Sequence, residues 1–315
     1  MPSWIHAFAT SEVGTLATTG PQVSVSDATA AFRDAPEWQK RLRRALRDPL
    51  TVTGFGIVAA WLLLALLAPM VAVYGPNDPH MSVRLQPPVV AHLFGTDQYG
   101  RDILTRVIFG ARITMLIGTI SVGISMAVGV PLGAIAGYVG GRTEQAIMRL
   151  MDMLLAFPAL VLAMAIAVSM GRGLVSAMIA VGIVGIPDFA RLMHGQAVSL
   201  REKDFVEAAR ALGAGNRRII LRHIVPNAMS PIVVRATLGL GFAVLTAATL
   251  SFLGLGVKPP DAEWGAMVSE GREYIISGQW WLTTFPGLAI MSAVLGFNLI
   301  GDGLRDLLDP RFHNS

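Results

Sequence analysis

The chain has 315 residues, of which 53% are hydrophobic and 15% charged, and a formal net charge of +4. A soluble domain carries about 25% charged residues, so this composition excludes an ordinary soluble globular protein and points to a membrane protein. Cysteine is absent, which excludes disulfides, thiolate nucleophiles and thiolate metal sites and leaves the redox compartment undetermined.

In chain order, residues 1 to about 35 are rich in Ser, Thr, Ala, Gly and Val without helical or strand periodicity. They read as a cytoplasmic tail rather than a cleavable signal peptide, because no basic start followed by an apolar run is present. Pro36 to Arg47 carries a tryptophan and five basic residues. It suits a helix lying on the inner membrane face, or a solvated linker whose charges only set topology.

Six stretches read as membrane spans: Leu50 to Tyr74, Ile113 to Tyr138, Met153 to Met170, Leu174 to Pro187, Ile232 to Leu255 and Leu282 to Ile300. At 1.5 Å per residue most can cross the roughly 30 Å of a hydrocarbon core. The fourth is short unless it continues through Phe189 to Met193. Gly129, Gly133 and Gly137 in the second span, and Gly239 with Gly241 in the fifth, let helix backbones approach closely in a packed bundle. Arginine and lysine crowd into Lys40 to Arg47, Arg142 with Arg149, Arg191 to Arg222, and Arg305 with Arg311. With six crossings all four clusters fall on one side, which the positive-inside rule makes the cytoplasm, with both termini there. Arg84, Arg101, Arg106 and Arg112 dissent from the external side. The resulting plan is a tail over 1–48 and an all-α polytopic membrane domain over 49–315. Its loops are an external loop 75–112, a cytoplasmic loop 194–231 and an external segment 256–281.

The external loop ends in a stretch that is helical in pattern from Asp102 onward. In the second external segment, Lys258-Pro259-Pro260 predicts a stiff, extended exit from the fifth span, and Trp264, Trp280 and Trp281 belong at the headgroup level. Asp261, Glu263, Glu270, Arg272 and Glu273 are candidate contacts for a partner landing there; the alternative is that they only keep the loop solvated.

The cytoplasmic loop is the most informative passage. Ser199 and Glu202 have the spacing of a capping box, predicting a helix from about Leu200 with Phe205, Ala208, Ala209 and Leu212 on one stripe and Lys203, Glu207 and Arg210 on another. Gly213 suits the left-handed residue that ends a helix. Asn216 is placed to cap a second short helix through Arg217 to Val225, closed by Pro226. A hinge of two short helices with an alanine pair on its face is a shape for docking.

Glu207-Ala208-Ala209, three residues, Gly213, and a proline thirteen residues later at Pro226 resemble the EAA loop of the membrane subunits of bacterial ABC importers. The usual motif has isoleucine and leucine where this chain has His223 and Val225, a departure similar to the dipeptide and oligopeptide branch. "FGTDQYGRDILTRVIFGARITM", "LSFLGLGVKPPDAEWGAMVSEGR" and "NLIGDGLRDLLDPR" also resemble that branch. Together they cover about residues 50 to 311. The resemblance is to the C-type permease subunit of dipeptide, oligopeptide, glutathione and nickel importers. It implies a type I importer fold of six transmembrane helices in the bacterial inner membrane. It further implies a coupling helix using Glu207, Ala208, Ala209, Arg210, Gly213 and Pro226, a homologous B-type permease, two ATPase subunits that bind ATP and Mg, and an extracytoplasmic binding protein. Small peptides are the expected cargo, with glutathione and nickel chelates as alternatives.

The rival classes are weaker. A phosphate loop needs a lysine after glycine, but the lysines follow Gln39, Glu202 and Val257. The six histidines form no HExxH pair and no GxSxG elbow exists, so neither an enzyme nor a metal site is expected. An ion-coupled carrier needs ionisable groups inside its spans. Asp152, Asp188, Arg235 and Asp302 are placed at span edges, so the energy source is expected in partner subunits.

Overall fold

The computed structural model describes residues 48–308. The tail, the basic helix expected before Arg47, and Arg311 lie outside the described residues. Among the described residues the regular secondary structure is helical, with two isolated bridges and no strand. Its helices are α1 (Pro49–Val71), α2 (Ile103–Val139), α3 (Gly141–Leu155), α4 (Ala159–Met170), α5 (Leu174–Leu200), α6 (Asp204–Ala211), α7 (Asn216–Phe252), α8 (Trp264–Gly271) and α9 (Trp281–Leu308). Helices α1, α2, α5, α7 and α9 are each long and apolar enough to span a membrane, and α3 with α4 form a pair bent by 90° that makes a sixth crossing if counted as one.

Local chemistry sets these limits. Asp48 caps α1 by accepting from the Thr51 amide at 2.8 Å, and Pro49 sits at the first turn, where its missing N–H costs nothing. Asp102 caps α2 by accepting from the Thr105 amide at 2.8 Å, so the helix foreseen from Asp102 runs unbroken into the second span. The third span differs from expectation. Phe157 precedes a proline, which drives it out of the helical region, and the chain turns there. Beyond the turn, α4 has 12 residues, about 18 Å, too short to cross alone. The fourth span does continue, through Pro187 to Leu200.

The most extensive helix–helix contact of the bundle is that of α2 with α5. The glycine stripe of α2 lies against α5: a Cβ on Gly129 would stand 2.6 Å from the Ile186 carbonyl oxygen, and one on Gly133 would overlap that of Ala190. Side chains are excluded there because the backbones themselves touch. Gly239 and Gly241 have ordinary room for a methyl group, so the close approach expected at the fifth span is not made there.

Residues 72–102 and 253–280 form one end of the bundle, the loop end; α3, α6 and the start of α7 lie at the other, the hairpin end. The loop end is internally stitched. Trp264 is fully buried, donates its Nε1–H to the Val107 carbonyl at 2.8 Å and meets Trp61 edge-on at 4.8 Å. Trp281 is buried and donates to the Thr96 carbonyl at 3.1 Å. Only Trp280 of the three expected headgroup anchors is exposed. An indole that finds a carbonyl partner gains more from full burial than from an interface. Pro259 and Pro260 stand in a turn with a cis bond between them, not in an extended exit.

Three of the four dissenting arginines also find partners. Arg101 is buried against Asp97 at 2.6 Å and Glu270 at 3.1 Å. Arg106, only 1% exposed, adds the Pro76 carbonyl at 2.9 Å and Asn77 Oδ1 at 3.1 Å. Arg112 donates to the carbonyls of Ala65 and Leu66 on α1. Pro69 has no N–H to give Ala65, so the guanidinium replaces a missing backbone donor.

Candidate functional site

The hairpin joins α5 to α7. The expected capping box is not formed: α5 runs on to Leu200 with Ser199 inside it, and α6 starts at Asp204 after a short turn. α5 is held to its full length because Arg201 donates to the Gly137 carbonyl at 3.1 Å, tying its end to α2. In α6, Val206 is fully buried and Ala209 packs half-buried against the core, whereas Phe205, Glu207, Ala208, Arg210 and Leu212 are exposed. The stripe foreseen as one face is therefore split, with Ala209 turned inward and Phe205, Ala208 and Leu212 turned outward. Arg210 lies over the Tyr138 ring at 6.0 Å.

The corner closes as a Schellman motif. The Gly213 amide donates to the Arg210 carbonyl at 2.9 Å and the Ala214 amide to the Ala209 carbonyl at 3.0 Å. Gly213 has φ +80°, as expected of a helix-ending glycine, and the space around its Cα is open. Gly215, not Asn216, occupies the cap position of the next helix; Asn216 Oδ1 instead accepts from the Tyr138 hydroxyl at 3.5 Å.

Pro226 does not close that helix. Ile220–Ile224 forms a π turn in which bonds reach back one residue further, and the Val225 amide donates to the Ile220 carbonyl. The proline is absorbed where the ladder has already shifted, so α7 continues from Asn216 to Phe252. Ile219 and Ile224, both fully buried, anchor this root in the core.

At the loop end the five expected partner contacts separate. Asp261, Arg272 and Glu273 are exposed, and Arg272 stands over the Phe252 ring at 5.3 Å. Glu263 is fully buried: it caps α8 by accepting from the amides of Gly265 at 2.9 Å and Ala266 at 2.8 Å, and burial holds its carboxyl above the ordinary carboxylate range against the pull of those bonds. Glu270 is engaged with Arg101 and Arg106, its side chain 20% exposed. Glu263 is thus withdrawn from any partner, and Glu270 braces α8 to the external loop.

Sequence reasoning missed one feature. Asp188 and Arg235, expected at span edges, lie well inside α5 and α7 and form an ion pair. Pro187 has the look of a helix end, which puts Asp188 at an edge, and a pairing 47 residues apart leaves no local pattern. The span interiors therefore do hold charge, and their composition does not exclude an ion-coupled carrier. Among the described residues no three metal-ligating side chains converge.

Residues 129–314 match the family model described as binding-protein-dependent transport system inner membrane component, and residues 37–88 match the N-terminal TM domain of oligopeptide transport permease C. The chain is 45% identical to the probable D,D-dipeptide transport system permease protein DdpC of Escherichia coli (strain K12), over 91% of this chain and 97% of that protein. It is 42% identical to the glutathione transport system permease protein GsiD of Pectobacterium atrosepticum, over 87% and 91%. A chain of the MetNI methionine ABC transporter, solved in inward-facing conformations, shares the fold with a TM-score of 0.55 at 17% identity, over 66% of this chain and 98% of that one.

Proposed function

Because the chain belongs to the family of binding-protein-dependent transport system inner membrane components, we propose that it forms one half of a pathway for small peptides, driven by partner ATPases docked on its hairpin. It is a multi-pass permease subunit of an ABC importer and not itself an enzyme. The observation that carries the docking reading is the exposed face of α6. Ala208 permits close approach, Phe205 and Leu212 offer apolar surface, Glu207 and Arg210 offer charge, and the open Gly213 corner and the π turn before Pro226 fix the hairpin to α7.

The partners this requires are a homologous permease, two ATPase subunits that bind ATP and Mg, and an extracytoplasmic binding protein that would land on Asp261, Arg272 and Glu273. The hairpin end, with Arg191, Arg201, Arg217, Arg218 and Arg222, is the cytoplasmic one by the positive-inside rule. Three of the four arginines that dissent at the other end have local structural roles: Arg101 and Arg106 pair with carboxylates and Arg112 is spent on backbone carbonyls. The dipeptide permeases among the relatives favour small peptides as cargo; the likeness to GsiD supports glutathione, itself a modified peptide, as the second reading.

The test is reconstitution of the chain with a second permease, the ATPases and the binding protein in liposomes. ATP-dependent uptake of labelled dialanine is expected, and none without the ATPases. Uptake that persists without them, or ATP turnover by this chain alone, would overturn the reading. Since the chain lacks cysteine, one introduced at exposed Asp261 should react with an impermeant reagent outside cells and one at exposed Gly215 should not.

A further inference from the structure

Asp188 is the fifteenth residue of the 27 in α5, at its middle. Arg235 lies ten residues beyond Val225 in α7, about 15 Å along the helix from that residue. Their side chains meet as an ion pair, yet remain 43% and 30% exposed respectively, so the face they share is not covered by this chain. Two half-exposed charges well inside membrane-spanning helices are poorly placed against lipid and belong to a protein-lined or water-filled space.

The surroundings describe such a space. A groove of about 630 Å³ opens beside Arg235, lined also by Leu192, Ser230, Pro231, Val234, Leu238 and Arg305, while Asp188 lies on the other side of Arg235. The groove's size is that of a small-ligand site. On its other side Arg235 borders a smaller cavity with Ser121, Ser125, Gly185 and Phe242, and its guanidinium stands 5.8 Å from the Phe189 ring centroid. Ser121 spends its hydroxyl on the Met178 carbonyl and Ser125 on those of Ser121 and Gly182, so of the polar groups around the smaller cavity the charged pair is what remains to engage a ligand.

We propose that Asp188 and Arg235 form a recognition point in the pathway for the two charged ends of a zwitterionic small peptide, Asp188 receiving the ammonium and Arg235 the carboxylate. This assignment rests on the peptide-importer reading. With no cargo present, each group satisfies the other, so neither of these two charges is left unpaired. A zwitterion brings the same two charges in complementary order. It can exchange for the internal pair without leaving either group unpartnered, while a molecule with one blocked end leaves one charge unpaired. Binding by exchange is also weak net of the pair it breaks, which suits a point that cargo must leave.

The test uses the complete importer in liposomes with L-alanyl-L-alanine as probe, comparing wild type, Asp188→Asn, Arg235→Gln and the charge swap Asp188→Arg/Arg235→Asp, each normalised to the amount of assembled complex. Each single variant is expected to lose about 10- to 100-fold in uptake. The swap restores an ion pair between the helices but presents the charges in reverse order to a groove that lies on the Arg235 side, and is expected to stay low. Wild-type uptake by the swap means that the pair only braces α5 to α7, and wild-type uptake by the single variants means that the charges are not used; either result overturns the proposal. If the swap does not assemble, the double variant Asp188→Asn/Arg235→Gln decides, since it keeps a neutral hydrogen bond in the same place: full uptake overturns the proposal and a tenfold loss sustains it. A wild-type complex that hydrolyses ATP but moves no dialanine defeats the peptide reading itself, a result distinct from unimpaired variants beside an active wild type.

Discussion

Replacing Gly213 isolates what the hairpin corner contributes to coupling. Its φ of +80° is in the left-handed region, and no heavy atom lies within 4 Å of where a Cβ would stand, so a new side chain meets no neighbour and its whole cost is in the backbone. For an L-residue that cost is about 1–2 kcal/mol, least for asparagine and greatest for a β-branched residue. At tenfold per 1.4 kcal/mol, a valine shifts the closing equilibrium of the corner by a factor of about 5 to 30. The corner lies outside the spans, so insertion and assembly should be unchanged. ATP hydrolysis stimulated by loaded binding protein should fall in the order glycine, asparagine, alanine, valine. An alanine or valine variant that couples as well as wild type, or an asparagine variant as defective as valine, would refute the reasoning, because either result removes the backbone as the cause.

Arg112→Met should lower thermal stability in detergent by about 1–3 kcal/mol, because the Ala65 carbonyl is left with no donor; Pro69→Ala restores an N–H, so the double variant should recover much of the loss, and simple additivity would sink the idea. Glu263→Ala should cost about 1–2 kcal/mol by opening the α8 cap, measured in the same assay. The raised carboxyl of Glu263 contributes stability that is fully present below its ordinary value of 4.5 and is lost as pH rises through the higher folded value. The stability of wild type relative to Glu263→Gln should therefore decline with rising pH across that window, and a flat difference would contradict the assignment. Reversing Asp261 and Glu273 to lysine should slow productive association with the binding protein at low ionic strength, with the effect shrinking as salt is added; equal stimulation at every ionic strength would leave these charges as solvating groups only.

What could be read from the sequence was what depends on a few neighbouring residues. The Asp102 cap, the close-packed stripe Gly129, Gly133, Gly137 and the left-handed Gly213 all stand as local rules place them. Proline is less legible, because its effect depends on whether another group can make good the lost donor. Pro158 breaks the chain, Pro69 is compensated by Arg112 from another helix, and Pro226 sits where a π turn has already displaced the ladder. The charged and aromatic residues of the loop end mislead for the same reason. Tryptophan is at home in an interface or in a core with a carbonyl in reach, and only the positions of Val107 and Thr96 decide between them for Trp264 and Trp281. Glu263 looks like a surface carboxylate and is an internal cap, and the pairing of Asp188 with Arg235 exists only once α5 and α7 lie side by side.

The continuity of α7 bears most directly on how the hairpin acts. Had Pro226 closed the second short helix, the loop would connect to its span through a joint, and movement of the docking surface could be lost there. Instead Val206, Ile219 and Ile224 root the hairpin in the core, and one helical rod runs from Asn216 past Arg235 to Phe252. A displacement applied at α6 is therefore delivered to the same helix that carries one member of the Asp188–Arg235 pair. The other member is on α5, which the close contact with α2 holds through backbone rather than side chains and which can yield little. Relative movement of α7 against α5 thus acts on the Asp188–Arg235 contact, so the same ion pair that would read the cargo stands where the work of the ATPases would arrive.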